Sequence, residues 1–156
     1  MYRSERVDDQ ELDLYLKEIG QIRTLTRGEE IDLGFINLIE NNPEARNLLW
    51  EHNLKWVINV IKRRKAFEII GVRRDLFPYG KMGIVSECND ALAQSLTTYN
   101  PKWRVTTRSY PFIQNAANGY LREGFSKQPM ISLDGNVFFD DDKKLEDTVE
   151  STYSYS

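Results

Sequence analysis

The chain has few of the side chains that metals, disulfides and nucleophilic enzymes need. Among its 156 residues there is one histidine, His52, and one cysteine, Cys88. A structural zinc site usually takes four such ligands, and a single cysteine forms no intramolecular disulfide. The sequence also lacks a glycine-rich P-loop, paired histidines and a Ser-His-Asp set. We therefore expect no catalytic residue, no metal and no cofactor, and an enzyme is not expected.

Long apolar runs are also missing. No stretch approaches the roughly 20 residues that span a bilayer, and the first ten residues, MYRSERVDDQ, lack the apolar centre of a signal peptide. Hydrophobic residues make up 40% of the chain, which is enough for one modest core at this length. These features predict a soluble cytoplasmic protein without a membrane partner.

Charge is unevenly distributed along the chain. The net charge is −3, which does not favour binding to nucleic acid. The middle is nevertheless basic, through Lys55, Lys62, Arg63, Arg64, Lys65, Arg73 and Arg74 and then Lys102, Arg104, Arg108, Arg122 and Lys127. The C-terminal part is acidic, through Asp134, Asp140, Asp141, Asp142, Glu146, Asp147 and Glu150. Because basic and acidic residues are separated along the chain, a protein that is acidic overall can still carry a phosphate-binding face.

Hydrophobic periodicity predicts helices and no sheet. A first helix covers residues 10–19 and ends at Gly20, and Thr26 with Glu29 forms a capping box at the start of the second. Three more helices are expected over residues 43–67, 79–96 and 109–124. Pro111 is expected in the first turn of the last helix, and Gly124 just past its end.

These elements predict an all-α protein with two parts. Residues 1–126 are expected to form a compact helical bundle. The segments SKQP, LDG and DDDKK lie at the start of residues 127–156 or within them. We expect these residues to form an extended acidic tail without a core of its own.

Five segments, taken in chain order, carry a recognisable pattern: DLYLKEIGQIRTLTRGEEI (13–31), ARNLLWEHNLKWVINVIKR (45–63), DLFPYGKMGIVSECNDAL (75–92), YNPKWRVTTRSYPFIQNAANGYLRE (99–123) and ISLDGNVFFDDDKKLEDTVE (131–150). Together they resemble bacterial housekeeping-type sigma factors of RNA polymerase. The first resembles the family's opening conserved segment, the next three resemble region 2, and the last resembles the acidic linker that reaches into the polymerase cleft. The resemblance covers nearly the whole chain and implies a bundle like sigma region 2.

Two parts of the family pattern have no counterpart here, namely the C-terminal helix-turn-helix and the helices of region 3. Small sigma-like proteins of this kind occur in phages resembling the T-even group. There they direct late transcription, and a second phage protein replaces the missing domain. Ile113 and Gln114 stand where the housekeeping type has paired tryptophans. The resemblance therefore implies a late phage-type sigma factor with a co-activator, acting in the cytoplasm of a bacterial or phage-infected cell.

Residues 75–92 are implied, by the same resemblance, to dock on the clamp coiled coil in the largest subunit of core RNA polymerase. The implied contacts are Asp75, Lys81 and Glu87 as polar groups and Leu76, Tyr79 and Met82 as apolar anchors. Leu76 and Met82 are equally well explained as core residues. Pro78 stands where the family has helix formers, so it either delays the helix start or alters this contact.

The run TTYNPKWRVTTRSYPF interleaves rings with cations, which suits a single nucleic-acid strand because rings stack on bases and cations pair with phosphates. The resemblance implies that Tyr110 replaces a flipped adenine in the duplex stack. It also implies that Tyr99 and Asn100 belong to the pocket that receives this base. Further DNA contacts are expected from Lys102, Trp103, Arg104 and Arg108. The alternative is that Tyr99 or Phe112 is wholly buried.

Two more groups complete the predicted DNA surface. Gln114, Asn118 and Arg122 share one helix face, and with Asn115 they are candidates to read base edges at the upstream end of the −10 element. An ordinary solvated face is the alternative. The segment EHNLKWVINVIKRR is expected to pack into the bundle by its apolar residues. Its basic end is expected near DNA phosphates or the nontemplate strand, through Lys62, Arg63 and Arg64.

A sigma factor that binds core polymerase, recognises the −10 element and melts promoter DNA is the function that the resemblance implies. The alternative is a polymerase-binding regulator, such as an anti-sigma or appropriator protein, that melts no DNA. Such a regulator would keep residues 75–92 but would have no use for the rings between Tyr99 and Phe112.

Overall fold

The computed structural model describes residues 5–128, and within that range it contains seven α-helices, one short 3₁₀ helix and no strand. The α-helices are α1 (Glu5–Gly20), α2 (Arg27–Glu40), α3 (Pro43–Glu51), α4 (Leu54–Arg63), α5 (Ala66–Val72), α6 (Gly80–Leu96) and α7 (Val105–Ser126), and the 3₁₀ helix is Arg74–Leu76. The all-α prediction is confirmed. The predicted acidic tail lies outside the described residues apart from its first two positions, so the division at residue 126 stays a prediction.

The helices α6 and α7 form the most extensive helix pair, and α4 packs against both of them. The central side chains are completely buried, among them Val57 and Ile61 of α4, Ile84 and Leu92 of α6, and Ile113 of α7. The apolar face of residues 51–64 is therefore used as predicted. None of the described helices is long and apolar enough to cross a membrane.

The predicted capping box at the start of α2 is confirmed. The Thr26 hydroxyl accepts a hydrogen bond from the Glu29 amide at 3.2 Å, and the Glu29 carboxylate accepts one from the Thr26 amide at 3.0 Å. Arg23 also pairs with Glu29. Mainly through Arg23, and then through the Thr26 amide, the pKa of Glu29 is lowered from 4.5 to about 2. The two capping residues, Thr26 and Glu29, are three positions apart, so the local sequence is enough to specify the capping box.

The expected unbroken helix over residues 43–67 is wrong, because the chain forms α3, α4 and α5 there. The first break is at His52 and Asn53, and the second is at Lys65, whose backbone is left-handed with φ 54°. Asn53 donates its side-chain amide to the Leu49 carbonyl at 2.7 Å, which satisfies a carbonyl near the end of α3. The breaks let α4 turn its own apolar face toward α6 and α7.

The start and end of α7 also differ from the prediction. The helix begins at Val105, so Pro111 lies inside it, and Gly124 lies within its last turn instead of beyond it. A proline at this position removes one helical hydrogen bond. The earlier start is supported from another element, because the Glu30 carboxylate of α2 accepts the Val105 amide at 2.9 Å. Glu30 of α2 therefore caps the first turn of α7.

A second cap of this kind fixes the start of α6. Asp8 of α1 is completely buried, and its carboxylate accepts the amides of Lys81 at 2.7 Å and Met82 at 3.1 Å. It also accepts a hydrogen bond from Arg74 at 3.1 Å. Gly80 has φ 65°, and a Cβ there would lie 2.5 Å from the Asp8 carboxylate. The glycine is thus required both by its backbone conformation and by the close approach of the carboxylate.

Candidate nucleic-acid interface

Tyr110 of α7, a predicted DNA contact, lies beside Trp56 of α4. Their ring centres are 6.1 Å apart with a 44° angle between the planes. The indole NH of Trp56 donates to the Ser109 hydroxyl at 3.2 Å, and the Arg63 guanidinium lies 5.1 Å from the centre of the Trp56 ring. Both rings remain partly exposed. A cation and two aromatic rings are thus held together on one side of α4 and α7.

Trp56 packs against the core as sequence reasoning expected, but its contacts with Arg63 and Tyr110 were not predicted. A signal was present, since Trp56 and Arg63 are seven residues apart and lie on the same side of α4. Lys62 and Arg63 are exposed and have no ion-pair partner among residues 5–128, while Arg64 is half-buried. The basic end of α4 is therefore available to an external anion.

The loop between α6 and α7 carries Trp103 at the surface. This side chain is 56% exposed, and the Lys102 ammonium group lies 5.8 Å from its ring centre. The Asn100 carboxamide accepts the Lys102 amide at 2.9 Å, which shapes the turn. Arg104 is exposed at the end of the same loop. Trp103, Lys102 and Arg104 are accessible as predicted.

Tyr99 requires a correction, because it is completely buried and offers no surface to a base. Its hydroxyl donates to the Trp103 carbonyl at 2.6 Å, so it supports the loop from inside. Arg27 of α2 holds the loop from the other side by donating to the Pro101 carbonyl at 2.6 Å. The ring is buried because α2 presents Gly34 to it, which leaves room for Tyr99 and Pro101.

Arg108 and Phe112 pair with each other at the start of α7. The Arg108 guanidinium lies 5.0 Å from the Phe112 ring centre and donates to the Thr98 hydroxyl at 2.8 Å. Phe112 is half-buried and not wholly buried. Arg108 therefore ties the loop to α7 in addition to carrying a positive charge near the surface.

Only part of the predicted polar face of α7 is exposed to solvent. Gln114 is completely buried among the packing residues of the helix, and neither atom of its amide group has a hydrogen-bond partner within the described part of the chain. A base edge cannot reach it in this conformation, so its predicted role as a reader is corrected. Asn118 is half-buried, whereas Asn115 and Arg122 are exposed. Of the four predicted residues, Asn115 and Arg122 are the two whose exposure makes them accessible to DNA.

A polar cavity of about 130 Å³ lies between the starts of α4 and α7, the helices that carry Trp56 and Tyr110. It is lined by Thr24, Leu25, Arg27, Glu30, Asn53, Arg104 and Thr106. Only Arg104 was predicted from the sequence. The others come from three separate segments, and no local pattern connects them.

The predicted polymerase-docking residues fall into two groups. Asp75, Tyr79 and Glu87 are exposed, with Tyr79 at 70%, and Met82 is half-buried. Asp75 pairs with Arg73 at 3.1 Å, which lowers the pKa of Asp75. Leu76 is 5% exposed, so its predicted role as an anchor is corrected to that of a core residue.

Lys81 is also engaged within the chain. Its ammonium group pairs with Asp9 at 2.9 Å, and Arg74 pairs with the same carboxylate at 2.9 Å. Mainly through Lys81, the pKa of Asp9 is lowered. Among the six predicted docking contacts, Asp75, Tyr79 and Glu87 are thus the exposed ones.

The tight contact at Gly34 gives a testable prediction. A Cβ at this position would lie 2.7 Å from Pro101 Cβ and 2.8 Å from Tyr99 Cε2. We expect Gly34→Ala to lower the free energy of unfolding by about 1–3 kcal/mol through overpacking, measured by urea denaturation. Gly28→Ala in the same helix is the control, because its Cβ would meet only Thr26, at 3.9 Å. Equal stabilities of the two variants would contradict the close packing of α2 against the loop.

Comparison with known proteins points to one family. Residues 12–34 match the family model described as Sigma-70 factor, region 1.2. Over 72 residues the chain is 32% identical to the RNA polymerase sigma factor SigA of Bacillus sp, a stretch that covers 46% of this chain and 18% of that relative. The chain thus matches less than a fifth of that relative's length. The matched residues 12–34 include Arg27, Glu30 and Gly34, which hold the loop and the start of α7.

Proposed function

We propose, from this similarity to bacterial RNA polymerase sigma factors, that the chain is a sigma-type initiation subunit. It binds core RNA polymerase, recognises a promoter −10 element and holds the unpaired nontemplate strand. It acts in the cytoplasm of a bacterial or phage-infected cell, where the polymerase is. The observation that carries the proposal is the cluster of Arg63, Trp56 and Tyr110, in which partly exposed rings lie beside an exposed cation.

The chemistry of this cluster suits a melted strand. An unpaired base recovers roughly 1–3 kcal/mol by stacking on an aromatic side chain, and Tyr110 offers such a ring. Lys62 and Arg63 supply positive charge for the phosphates beside that base. Because the whole chain has a net charge of −3, the free protein binds duplex DNA weakly and in a salt-dependent way. Polymerase then supplies the additional affinity for the promoter.

The polar cavity between the starts of α4 and α7 supports the same proposal. Among its lining residues, Arg104 can donate to the edge of an unpaired base, and the hydroxyls of Thr24 and Thr106 can donate to it or accept from it. A neighbouring cavity of this kind gives sequence preference, which a stacking ring alone does not. Asn115 and Arg122 extend the contact surface along α7 toward duplex DNA.

Runoff transcription tests the proposed function directly. We expect core polymerase to make a promoter-dependent transcript from an AT-rich −10 template only when the chain is added. A template with a pre-melted −10 region is the control for an active polymerase. If the chain binds core polymerase but gives no transcript from any promoter, the polymerase-binding regulator is the better description. If it does not bind core polymerase, both descriptions are wrong.

The narrower assignment to late phage transcription, with a second phage protein as co-activator, is part of the proposal and rests on the sequence resemblance. It predicts that the second protein increases the amount of transcript that the chain and core polymerase make from the duplex −10 template, and that this protein gives no transcript when the chain is left out.

A further inference from the structure

A cavity of about 140 Å³ opens between the start of α6 and the end of α7, away from the cluster of Arg63, Trp56 and Tyr110. Its walls include the rings of Phe77, Tyr79 and Tyr120. Its charged lining consists of Glu87, Glu123 and Lys127. Aromatic walls beside two carboxylates are the environment that a cationic side chain prefers.

The aromatic walls are fixed before any partner arrives. Phe77 and Tyr120 are stacked, with ring centres 5.6 Å apart and planes at 18°. The Tyr120 hydroxyl donates to the Gly80 carbonyl at 2.7 Å, and Gly124 allows Phe77 to approach the backbone of α7 closely. Tyr79 stands at the rim and is 70% exposed. A partner side chain therefore meets a rigid apolar surface with one accessible ring.

The cavity carries two exposed carboxylates. Glu87 and Glu123 are both exposed, and neither has an ion-pair partner in the part of the chain that the structure describes. The pKa of Tyr120 is raised, first by burial and then by the charges of Asp8, Glu87 and Glu123, so both carboxylates act on that ring. Lys127 is the cation on the rim and partly offsets them.

We propose that this cavity binds an arginine side chain presented by the protein partner. A guanidinium group is planar and can stack on the exposed Tyr79 ring while its NH groups donate to Glu87 and Glu123. A lysine ammonium group stacks less well and has no such fork. Nucleic acid is not the occupant, because two exposed carboxylates repel phosphate. The inference rests on the proposed function, in which the partner is core RNA polymerase.

The first experiment does not need polymerase. N-acetyl-arginine methylamide and N-acetyl-lysine methylamide are titrated into the full chain, and amide NMR shifts are followed. We expect the arginine compound to shift the amides around Tyr79, Glu87 and Glu123 at lower concentration than the lysine compound. Equal shifts from both compounds, or no shifts at the cavity, would overturn the assignment to arginine.

The second experiment measures the Kd for core polymerase. The double variant Glu87→Gln and Glu123→Gln is expected to bind about tenfold more weakly, whereas Lys127→Gln removes a competing cation and is expected to bind more tightly. Glu51→Gln, an exposed substitution outside the cavity, is the matched control and should bind like the unmodified chain. All substituted side chains are at the surface, and circular dichroism checks the fold.

The outcomes separate the two proposals. If the unmodified chain fails to bind core polymerase, the proposed function is wrong, whatever the arginine titration gives. If the unmodified chain binds but the double variant and Lys127→Gln both bind equally well, the arginine cavity is wrong and the proposed function stands. Opposite effects of the carboxylate and lysine substitutions support the cavity, because general damage to the fold would weaken binding in both.

Discussion

Tyr110→Ala is expected to slow promoter opening by roughly 5- to 150-fold. This range follows from losing one stacked base, worth about 1–3 kcal/mol, since each 1.4 kcal/mol is about tenfold. The Tyr110 ring is held by Trp56 at 6.1 Å between ring centres, so it needs little ordering when a base arrives. Opening is measured as permanganate reactivity of thymines near the start site, with the chain and core polymerase together.

Three controls define the role of this ring. Tyr110→Phe should open the promoter nearly normally, because stacking needs the ring and not the hydroxyl. Affinity for core polymerase should be unchanged in both variants. A pre-melted promoter should partly restore the alanine variant, since the base pairs are already open. If the alanine variant opens duplex DNA normally, Tyr110 is a packing residue and the exposed Trp103 becomes the candidate, since Tyr99 is buried.

Asp8→Ala is expected to lower the free energy of unfolding by about 3 kcal/mol, the lower end of the range for removing one partner of a buried ion pair. The substitution leaves the amides of Lys81 and Met82 without their acceptor and takes one carboxylate from Arg74, whose side chain is only 18% exposed. Arg74 keeps Asp9 at 2.9 Å, which limits the loss. Urea denaturation followed by circular dichroism measures the change.

Asp9→Ala is the matched control for Asp8. It removes a neighbouring carboxylate that is 42% exposed and accepts no amide of α6 in the structure. We expect a loss of about 1 kcal/mol or less, as for exposed ion pairs. If the two variants lose the same stability, capping of α6 by Asp8 is not the main contribution. The Asp8 variant should also bind core polymerase more weakly, because the start of α6 carries the exposed Tyr79.

The features that sequence predicted well are those set by nearby residues. Thr26 and Glu29 specify a cap within one helical turn, and Pro43 marks the start of α3. Pro78 favours an extended backbone at the preceding Phe77, which has φ −125° and ψ 79°, and this separates the 3₁₀ helix from α6. The helical class was predictable because the apolar spacing of each segment favours a helix over a strand.

The features that sequence reasoning missed depend on residues far apart in the chain. Whether an aromatic ring such as Tyr99 is buried or available to a base depends on the neighbour that covers it, here Gly34 on another helix. The early start of α7 depends on Glu30, and the role of Trp56 depends on Tyr110. Residue type states what a side chain can do, but burial decides whether a partner can reach it.

The long-range caps have a consequence for the order of folding during synthesis. Asp8 and Glu30 leave the ribosome early, whereas the amides that they accept, at Lys81 and Val105, follow 73 and 75 residues later. Closing such long loops costs chain entropy before the contacts form, so folding is slow relative to a bundle with only local contacts. The Asp8 carboxylate therefore stays solvated until the start of α6 has been made, and Glu30 pairs only with Arg27 until the start of α7 has been made, so each of these helices receives its cap after the capping helix already exists.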